Sequence, residues 1–331
     1  MNDSESNLLR DQIASLPREI PPARDLWPAI LMQVERFDPK ALSPAKVNTR
    51  ESPRFSLRLW LPLAAAFAIV AVIVWRRPSV VVPSWQVDTL AGTPSIGTQA
   101  AGGPGQLRVG DWLETDNSSR ARVTVGAIGE VSVEPNSRLR LVNASSTNHR
   151  LELARGKMHA LIWAPPRLFF VETPSATAVD LGCAYTLTVD DHGTSVLEVT
   201  SGYVALDHGG RETLIPAGLM CRTRPGAGPG TPFAVRASAE FRQAIDKFDA
   251  GDFTAIQTIV TDAGTADAIT LWHLLARAPA RARGAVFDKL TLLQPAPTGV
   301  TREGILAGDD AMRNRWALDL GLLAYSTAGM K

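Results

Sequence analysis

The sequence predicts a multidomain chain: a short helical arm, one transmembrane helix, an all-β domain and a C-terminal α-helical segment. Three observations predict this order. An uncharged apolar run stands near residue 60, alternating polar and apolar residues follow it, and a helical period begins after about residue 237. Residues two apart share one face of a strand, whereas residues three or four apart share one face of a helix.

The composition is that of an ordinary globular protein and points to no catalytic chemistry. Hydrophobic residues make up 45% and charged residues 20% of 331 residues, and the formal net charge is +1. Binding to nucleic acid needs a clustered basic face. The five histidines and two cysteines show no metal-ligand spacing, and no phosphate-binding or nucleophile motif is present. We therefore expect no catalytic residue, no metal, no cofactor and no direct contact with nucleic acid.

Residues 58–77 contain the run that predicts the transmembrane helix. Residues 59–75 carry no charged side chain, and Trp60 and Trp75 stand near the two ends. About 17–25 apolar residues can cross the hydrocarbon core, and Trp is typical of the lipid boundary. The alternative is a buried core helix, which would normally show a polar stripe.

The basic residues around this run predict its orientation. Five lie in the 20 residues before it and two in the 20 after it; they are Lys40, Lys46, Arg50, Arg54 and Arg58, then Arg76 and Arg77. Loops rich in Lys and Arg stay in the cytoplasm. We therefore expect a single-pass protein of the cell inner membrane, with its N-terminus cytoplasmic and its C-terminal part periplasmic.

The arm, residues 1–57, contains a second helix whose apolar face is a candidate partner-binding surface. Pro28 fits the first turn of this helix. Amphipathic helices with such spacing bind in grooves of partner proteins. The candidate residues are Asp25, Leu26, Trp27, Ile30, Leu31 and Val34. The alternative, that this face packs on the arm's other helix or on the membrane surface, stays open.

Residues 85–235 predict an all-β domain. Residues 120–125 and 196–199, among others, alternate between polar and apolar types, and Gly, Asn, Asp or Pro stands at nearly every join. Short strands at roughly 8–12-residue spacing are typical of an antiparallel roll, sandwich or barrel.

Five stretches of this domain resemble the FecR family. They are residues 107–115 (LRVGDWLET), 129–141 (GEVSVEPNSRLRL), 153–156 (LARG), 170–174 (FVETP) and 199–204 (VTSGYV). One departure is that Gly182-Cys-Ala-Tyr185 stands where the family usually has Gly-Thr-x-Phe. In the stretches that resemble the family, we expect seven residues to form turns: Gly110, Asp111, Gly129, Thr173, Pro174, Gly182 and Gly202. Asp111 is expected to be structural, because no partner base is evident.

The resemblance implies a regulator. FecR-family proteins are membrane-spanning anti-sigma factors or sigma regulators that hold an extracytoplasmic-function sigma factor and respond to an envelope signal. It implies a sigma factor on the cytoplasmic side, and it allows an envelope protein or ligand on the outer side. The alternative is a membrane-anchored envelope scaffold or ligand-binding module without sigma binding. An enzyme centred on Asp190, Asp191 and His192 is least favoured, because this stretch first indicates a hairpin loop.

The two cysteines, Cys183 and Cys221, both fall on the predicted outer side, where disulfides are permitted. We therefore expect a structural disulfide between them, which could add about 3–4 kcal/mol if geometry permits. The alternative is two buried free thiols.

Residues 237–331 predict a group of short helices. Phe241, Ile245 and Phe248 form one apolar stripe, and Asp309 is placed to cap a last helix that carries Trp316. His273 is expected to be a core residue rather than a ligand. Many FecR proteins end instead in a small α/β domain that engages an outer-membrane receptor, a pattern that this segment lacks.

Overall fold

In the computed structural model, residues 83–100 and 103–322 are described, and they fold as a run of strands followed by helices. The predicted arm, residues 1–57, and the predicted transmembrane helix, residues 58–77, lie outside these ranges. Among the described residues, no helix has the length and the apolar character that a bilayer crossing requires.

The strands follow the predicted β-domain from its first residues to its last. They are β1 (Ser84–Ala91), β2 (Ser95–Ile96), β3 (Gln99–Ala100), β4 (Gly105–Arg108), β5 (Trp112–Glu114), β6 (Arg120–Val125), β7 (Gly129–Val133), β8 (Arg138–Ser145), β9 (Asn148–Ile162), β10 (Phe169–Glu172), β11 (Thr177–Asp180), β12 (Ala184–Val189), β13 (Ser195–Ser201), β14 (Tyr203–His208), β15 (Arg211–Pro216), β16 (Leu219–Arg224), β17 (Gly228–Pro229) and β18 (Phe233–Ala234).

Two sheets share the long strand β9. The first has the order β4-β1-β6-β7-β9-β12-β13-β16, with β17 and β18 beside β16. The second has the order β3-β2-β5-β8-β9-β10-β11-β14-β15. Every pairing among the described residues is antiparallel except that of β9 with β10. The sheet-rich domain that the alternation predicts is confirmed.

The strand β9 changes sheet at Gly156. Residues 148–155 pair with β8, whereas residues 156–162 pair with β7 and β12. Gly156 has a φ of 94°, and a Cβ atom there would lie 2.3 Å from the Cα of Ser137. Since only glycine adopts this conformation readily and leaves this space free, the bend depends on its missing side chain.

The main core lies between the two sheets. Alternate residues of the strands point into it, and Leu107, Leu139, Leu151 and Phe169 are fully buried there. Burial of each such side chain contributes roughly 1.5–3 kcal/mol relative to exposure. The period-two pattern of the sequence is therefore the pattern of this core.

Six α-helices follow the strands in the described residues. They are α1 (Ala239–Asp249), α2 (Ile256–Asp262), α3 (Ala268–Arg277), α4 (Ala280–Leu293), α5 (Arg302–Ala307) and α6 (Asp310–Asp319), with 3-10 turns at Phe253–Ala255 and Thr265–Asp267.

The helices enclose a second core, as the helical period predicts. Phe241, Ile245 and Phe248 are all buried, and the fully buried Trp316 packs edge-on against Phe287 at 5.5 Å between ring centroids. The carboxylate of Asp309 accepts a hydrogen bond of 3.0 Å from the N–H of Met312, which is the predicted cap of the last helix.

The helical segment is attached to one end of the first sheet through Asp249. This carboxylate accepts hydrogen bonds of 2.8 Å from both the N–H and the hydroxyl of Thr231, and it lies 3.2 Å from the guanidinium of Arg277. Its side chain is only 4% exposed. One buried carboxylate therefore connects α1, the loop before β18 and α3.

Candidate functional site

The predicted partner-binding surface is not among the described residues. Asp25, Leu26, Trp27, Ile30, Leu31 and Val34 all lie before residue 83. Their role in binding a partner stays a prediction.

Gly110 and Asp111 lie in the turn between β4 and β5. The N–H of Gly110 donates to the carbonyl of Leu141 at 2.8 Å, and the N–H of Asp111 donates to the carbonyl of Arg108 at 2.9 Å. The Asp111 carboxylate accepts the Arg108 N–H at 3.2 Å. The polar groups of this pair are thus engaged with the backbone around the turn.

Thr173 and Pro174 lie in the turn between β10 and β11. The hydroxyl of Thr173 donates to the carbonyl of Ala176 at 2.7 Å. The next residue, Ser175, is buried and shares hydrogen bonds with Ser195 and Thr223. Because β13 and β16 belong to the other sheet, this group of hydroxyls joins the turn to the opposite layer.

Gly129, Gly182 and Gly202 lie at close backbone contacts. Gly129 begins β7, where a Cβ would lie 2.5 Å from the carbonyl oxygen of Leu161. Gly202 has a φ of 71°, and a Cβ there would lie 2.3 Å from the carbonyl oxygen of Gly182. The turn residues are therefore spread over both sheets, and they do not converge on one cavity.

Replacing Gly202 with alanine is expected to lower the free energy of unfolding by about 3 kcal/mol. The alanine would be held at a positive φ, and its Cβ would crowd the carbonyl oxygen of Gly182. Gly209→Ala is the matched control, because its φ is 61° but nothing lies within 4 Å of the added Cβ. We expect Gly209→Ala to lower the free energy of unfolding by only about 1 kcal/mol. Urea unfolding followed by tryptophan fluorescence measures both, and equal losses would contradict the close contact.

The predicted disulfide is wrong, because the structure holds Cys183 and Cys221 as buried free thiols. Strand β13 separates them: Leu187 pairs with Leu197, which pairs with Cys221. Leu187 and Cys221 are therefore two strand spacings apart, which amounts to about 9.6 Å between their Cα atoms. Cys183 lies four residues from Leu187 along the chain, which places it still further from Cys221. A disulfide requires Cα atoms within about 7 Å.

Both thiols are also buried, which lowers their expected reactivity. Burial raises the pKa of Cys221 to about 12, and burial together with the nearby Asp180 raises the pKa of Cys183. Since the thiolate is the reacting species, we expect a thiol reagent to modify neither cysteine in the native chain. In the unfolded, non-reduced chain we expect it to titrate two thiols. If no thiol titrates in the unfolded, non-reduced chain, the two cysteines form a disulfide and the structure is contradicted.

The sequence did not single out a buried acidic group at the end of β11. Asp180 is 1% exposed; its carboxylate accepts the Gly182 N–H at 2.7 Å and the Cys183 thiol at 2.6 Å. No ion pair of Asp180 occurs within residues 83–100 and 103–322. Burial raises the pKa of Asp180 to about 6, against the opposing effect of these hydrogen bonds.

Tyr185 completes this group. Its hydroxyl is buried without a hydrogen-bond partner among the described residues, and burial and the charge of Asp180 raise its pKa. The sequence signal was the single carboxylate in the largely apolar stretch 176–187, two residues before Gly182. With its raised pKa, Asp180 is expected to exchange one proton near pH 6, and it has no ion-pair partner among the described residues.

The remaining candidates for chemistry do not form a site. Asp190 caps its own hairpin, since its carboxylate accepts the N–H groups of His192 and Thr194 at 2.9 Å each. In the part of the chain that the structure describes, no three His, Cys, Asp or Glu residues are grouped as metal ligands.

Two large apolar side chains are exposed on the outer face of the first sheet. Trp163 is 63% and Leu161 is 47% exposed, although the residue between them is buried. The indole N–H of Trp163 donates to the carbonyl of Ala127 at 3.0 Å, so the ring is held in place. Trp163 and Leu161 are therefore candidates for contact with a partner, because an indole held in place loses little conformational freedom on binding.

Comparison with known proteins supports the resemblance found in the sequence. The family model described as "FecR protein" matches residues 111–205, which confirms the resemblance for that part of the chain. No curated protein sequence matches the chain.

Two crystal structures, each of a "putative anti-sigma factor from Parabacteroides distasonis ATCC 8503", are similar to parts of the chain. The first is 15% identical and covers 40% of this chain and 63% of its own, at a TM-score of 0.33. The second is 13% identical and covers 45% and 73%, also at 0.33. The chain therefore spans less than two thirds of the first structure, and similarity at this level does not establish a shared fold.

Proposed function

Because residues 111–205 form a FecR domain, we propose that this protein is a single-pass membrane regulator of an extracytoplasmic-function sigma factor. The FecR match is the observation that carries the proposal. The arm, residues 1–57, binds the sigma factor, and residues 58–77 cross the inner membrane. The β-domain and the helices lie outside the cytoplasm, where they respond to an envelope signal.

The placement of the family's residues supports a regulator rather than an enzyme. Among the turn residues, Asp111 and Thr173 bond to the backbone and Gly110 and Gly202 have no side chain, so these four positions offer no catalytic group. In this proposal the sigma factor binds the arm, and the envelope partner binds the β-domain or the helices.

A transcription assay in cells tests the proposal. Deleting the chain is expected to change transcription from a promoter of the sigma factor encoded nearest to this gene, and the full chain is expected to restore it. Trp27→Ala is expected to fail to restore it, because the indole is the largest anchor of the predicted surface. Phe37→Ala, an aromatic residue of the arm outside the six candidate residues, is the matched control. Restoration by Trp27→Ala would contradict the assigned surface.

An envelope scaffold without sigma binding is the second candidate. The exposed pair Leu161 and Trp163 favours it, because this pair offers a contact surface that needs no cytoplasmic arm. Under this function, deletion of the chain leaves the reporter unchanged for every candidate sigma factor. The transcription assay therefore separates the two functions.

A further inference from the structure

A cavity of about 590 Å³ lies between the β14–β15 hairpin and the helices α3 and α6. The hairpin contributes Arg211 and Leu214, α3 contributes His273 and Arg277, and α6 contributes Arg313. Small-molecule sites in proteins have volumes of about 300–1,000 Å³. The cavity therefore has the size of a binding site, and it is separate from the turns described above.

The charges around the cavity favour an anion. The cavity is lined by three arginines and by one acidic residue, Glu212. The carboxylate of Glu212 accepts two hydrogen bonds, of 2.7 and 2.8 Å, from Arg167. Arg277 is paired with Asp249. Arg211 has no ion pair among the described residues, and the partner of Arg313, Asp310, is 76% exposed. An ion pair with so exposed a carboxylate is weak.

Two polar atoms at the cavity are buried without partners. The Nε of Arg313 and the Nε2 of His273 have no hydrogen-bond partner within the ranges that the structure describes. Buried polar groups are nearly always paired with protein, water or a ligand. Burial and the neighbouring Arg277 lower the pKa of His273 to about 3, against the opposing effect of a hydrogen bond to the backbone of Leu214, so this ring is uncharged.

An aromatic ring fixes the geometry of the arginine. The indole N–H of Trp272 donates to the carbonyl of Arg313 at 2.9 Å, and the guanidinium lies 5.8 Å from the centroid of the same ring. Trp272 and Leu214 both line the cavity and give it an apolar wall. The indole therefore contacts the backbone of Arg313 and lies near its guanidinium at the same wall of the cavity.

We propose that this cavity binds a small organic molecule that carries a carboxylate or a phosphate group. The oxyanion receives hydrogen bonds from Arg313, with Arg211 beside it, and the organic part lies against Trp272 and Leu214. Arginine is suited to both oxyanions because its planar donors match their geometry. This site goes beyond the proposed regulation of a sigma factor and does not depend on it.

Calorimetric titration of the full chain in detergent, at fixed ionic strength, tests the site with three probes. Benzoate and phenyl phosphate present the two oxyanions, and benzyl alcohol is their neutral counterpart. We expect saturable binding of at least one anion with a Kd of about 1 mM or below and no saturable binding of the alcohol. The anion that binds more tightly identifies the oxyanion.

Two variants locate the binding. Arg313→Gln is expected to weaken binding of the anion about tenfold or more, through the loss of charge-assisted hydrogen bonds. Arg315→Gln is the matched control, since Arg315 lies on the same helix but donates to the carbonyl of Thr298 outside the cavity. If Arg313→Gln does not fold, Arg211→Gln on the exposed hairpin replaces it, with an expected weakening of about threefold. No saturable binding of either anion, or equal weakening by Arg315→Gln, would overturn the proposal.

Discussion

Replacing Asp249 with alanine is expected to lower the free energy of unfolding by about 3–5 kcal/mol. The substitution leaves Arg277 without its ion-pair partner and removes both hydrogen bonds to Thr231. Because the carboxylate is nearly completely buried, water does not replace these contacts. We expect the connection between the helices and the first sheet to loosen, and urea unfolding of the full chain measures the loss.

Asp246→Ala is the matched control, three residues earlier on the same helix. Asp246 also pairs with arginines, Arg222 at 2.5 Å and Arg224 at 3.3 Å, but its side chain is 32% exposed. Ion pairs that are open to water contribute about 0–1 kcal/mol. A loss at Asp246 as large as that at Asp249 would contradict the assignment of burial as the cause.

The free energy of unfolding is expected to fall by about 2 kcal/mol as the pH rises from about 4 to about 6, because of Asp180. The folded state raises the pKa of this carboxyl from 3.8 to about 6. Between these values the folded chain binds the proton and the unfolded chain does not. Folding is therefore favoured at the lower pH, and this advantage is lost as the pH passes the folded pKa.

Asp180→Asn isolates this effect from the other carboxyl groups. The amide oxygen can still accept the Gly182 N–H, but the side chain no longer titrates. We expect the difference in unfolding free energy between the variant and the natural chain to grow in favour of the variant from pH 4 to pH 6.5. A difference that stays constant over this range would show that Asp180 is ionised at an ordinary pKa.

Much of the β-domain and of the helical segment could be predicted from the sequence, because the patterns that identify strands and helices lie within short stretches of the chain. Alternation in strands such as β6 places apolar residues inward, and a stripe such as Phe241, Ile245 and Phe248 identifies a helix face. The cap at Asp309 follows from residue type and position alone. The FecR stretches also keep their order along the chain, and the family match covers most of them.

The rest depends on which segments become neighbours. Sequence spacing allowed a Cys183–Cys221 disulfide, but the order of strands places β13 between the two residues. The change of sheet at Gly156 depends equally on partners that are far away in sequence. Arg211, Trp272 and Arg313 share one cavity although about 100 residues separate the first from the last. No local sequence pattern predicts that these three residues lie together.

Binding of the full chain, in detergent, to the sigma factor encoded nearest to its gene tests the central claim most directly. The account predicts a Kd in the micromolar range or tighter, weakened about tenfold or more by Trp27→Ala and unchanged by Phe37→Ala. The absence of binding to every candidate sigma factor, or equal binding by the Trp27→Ala variant and the natural chain, would contradict the account.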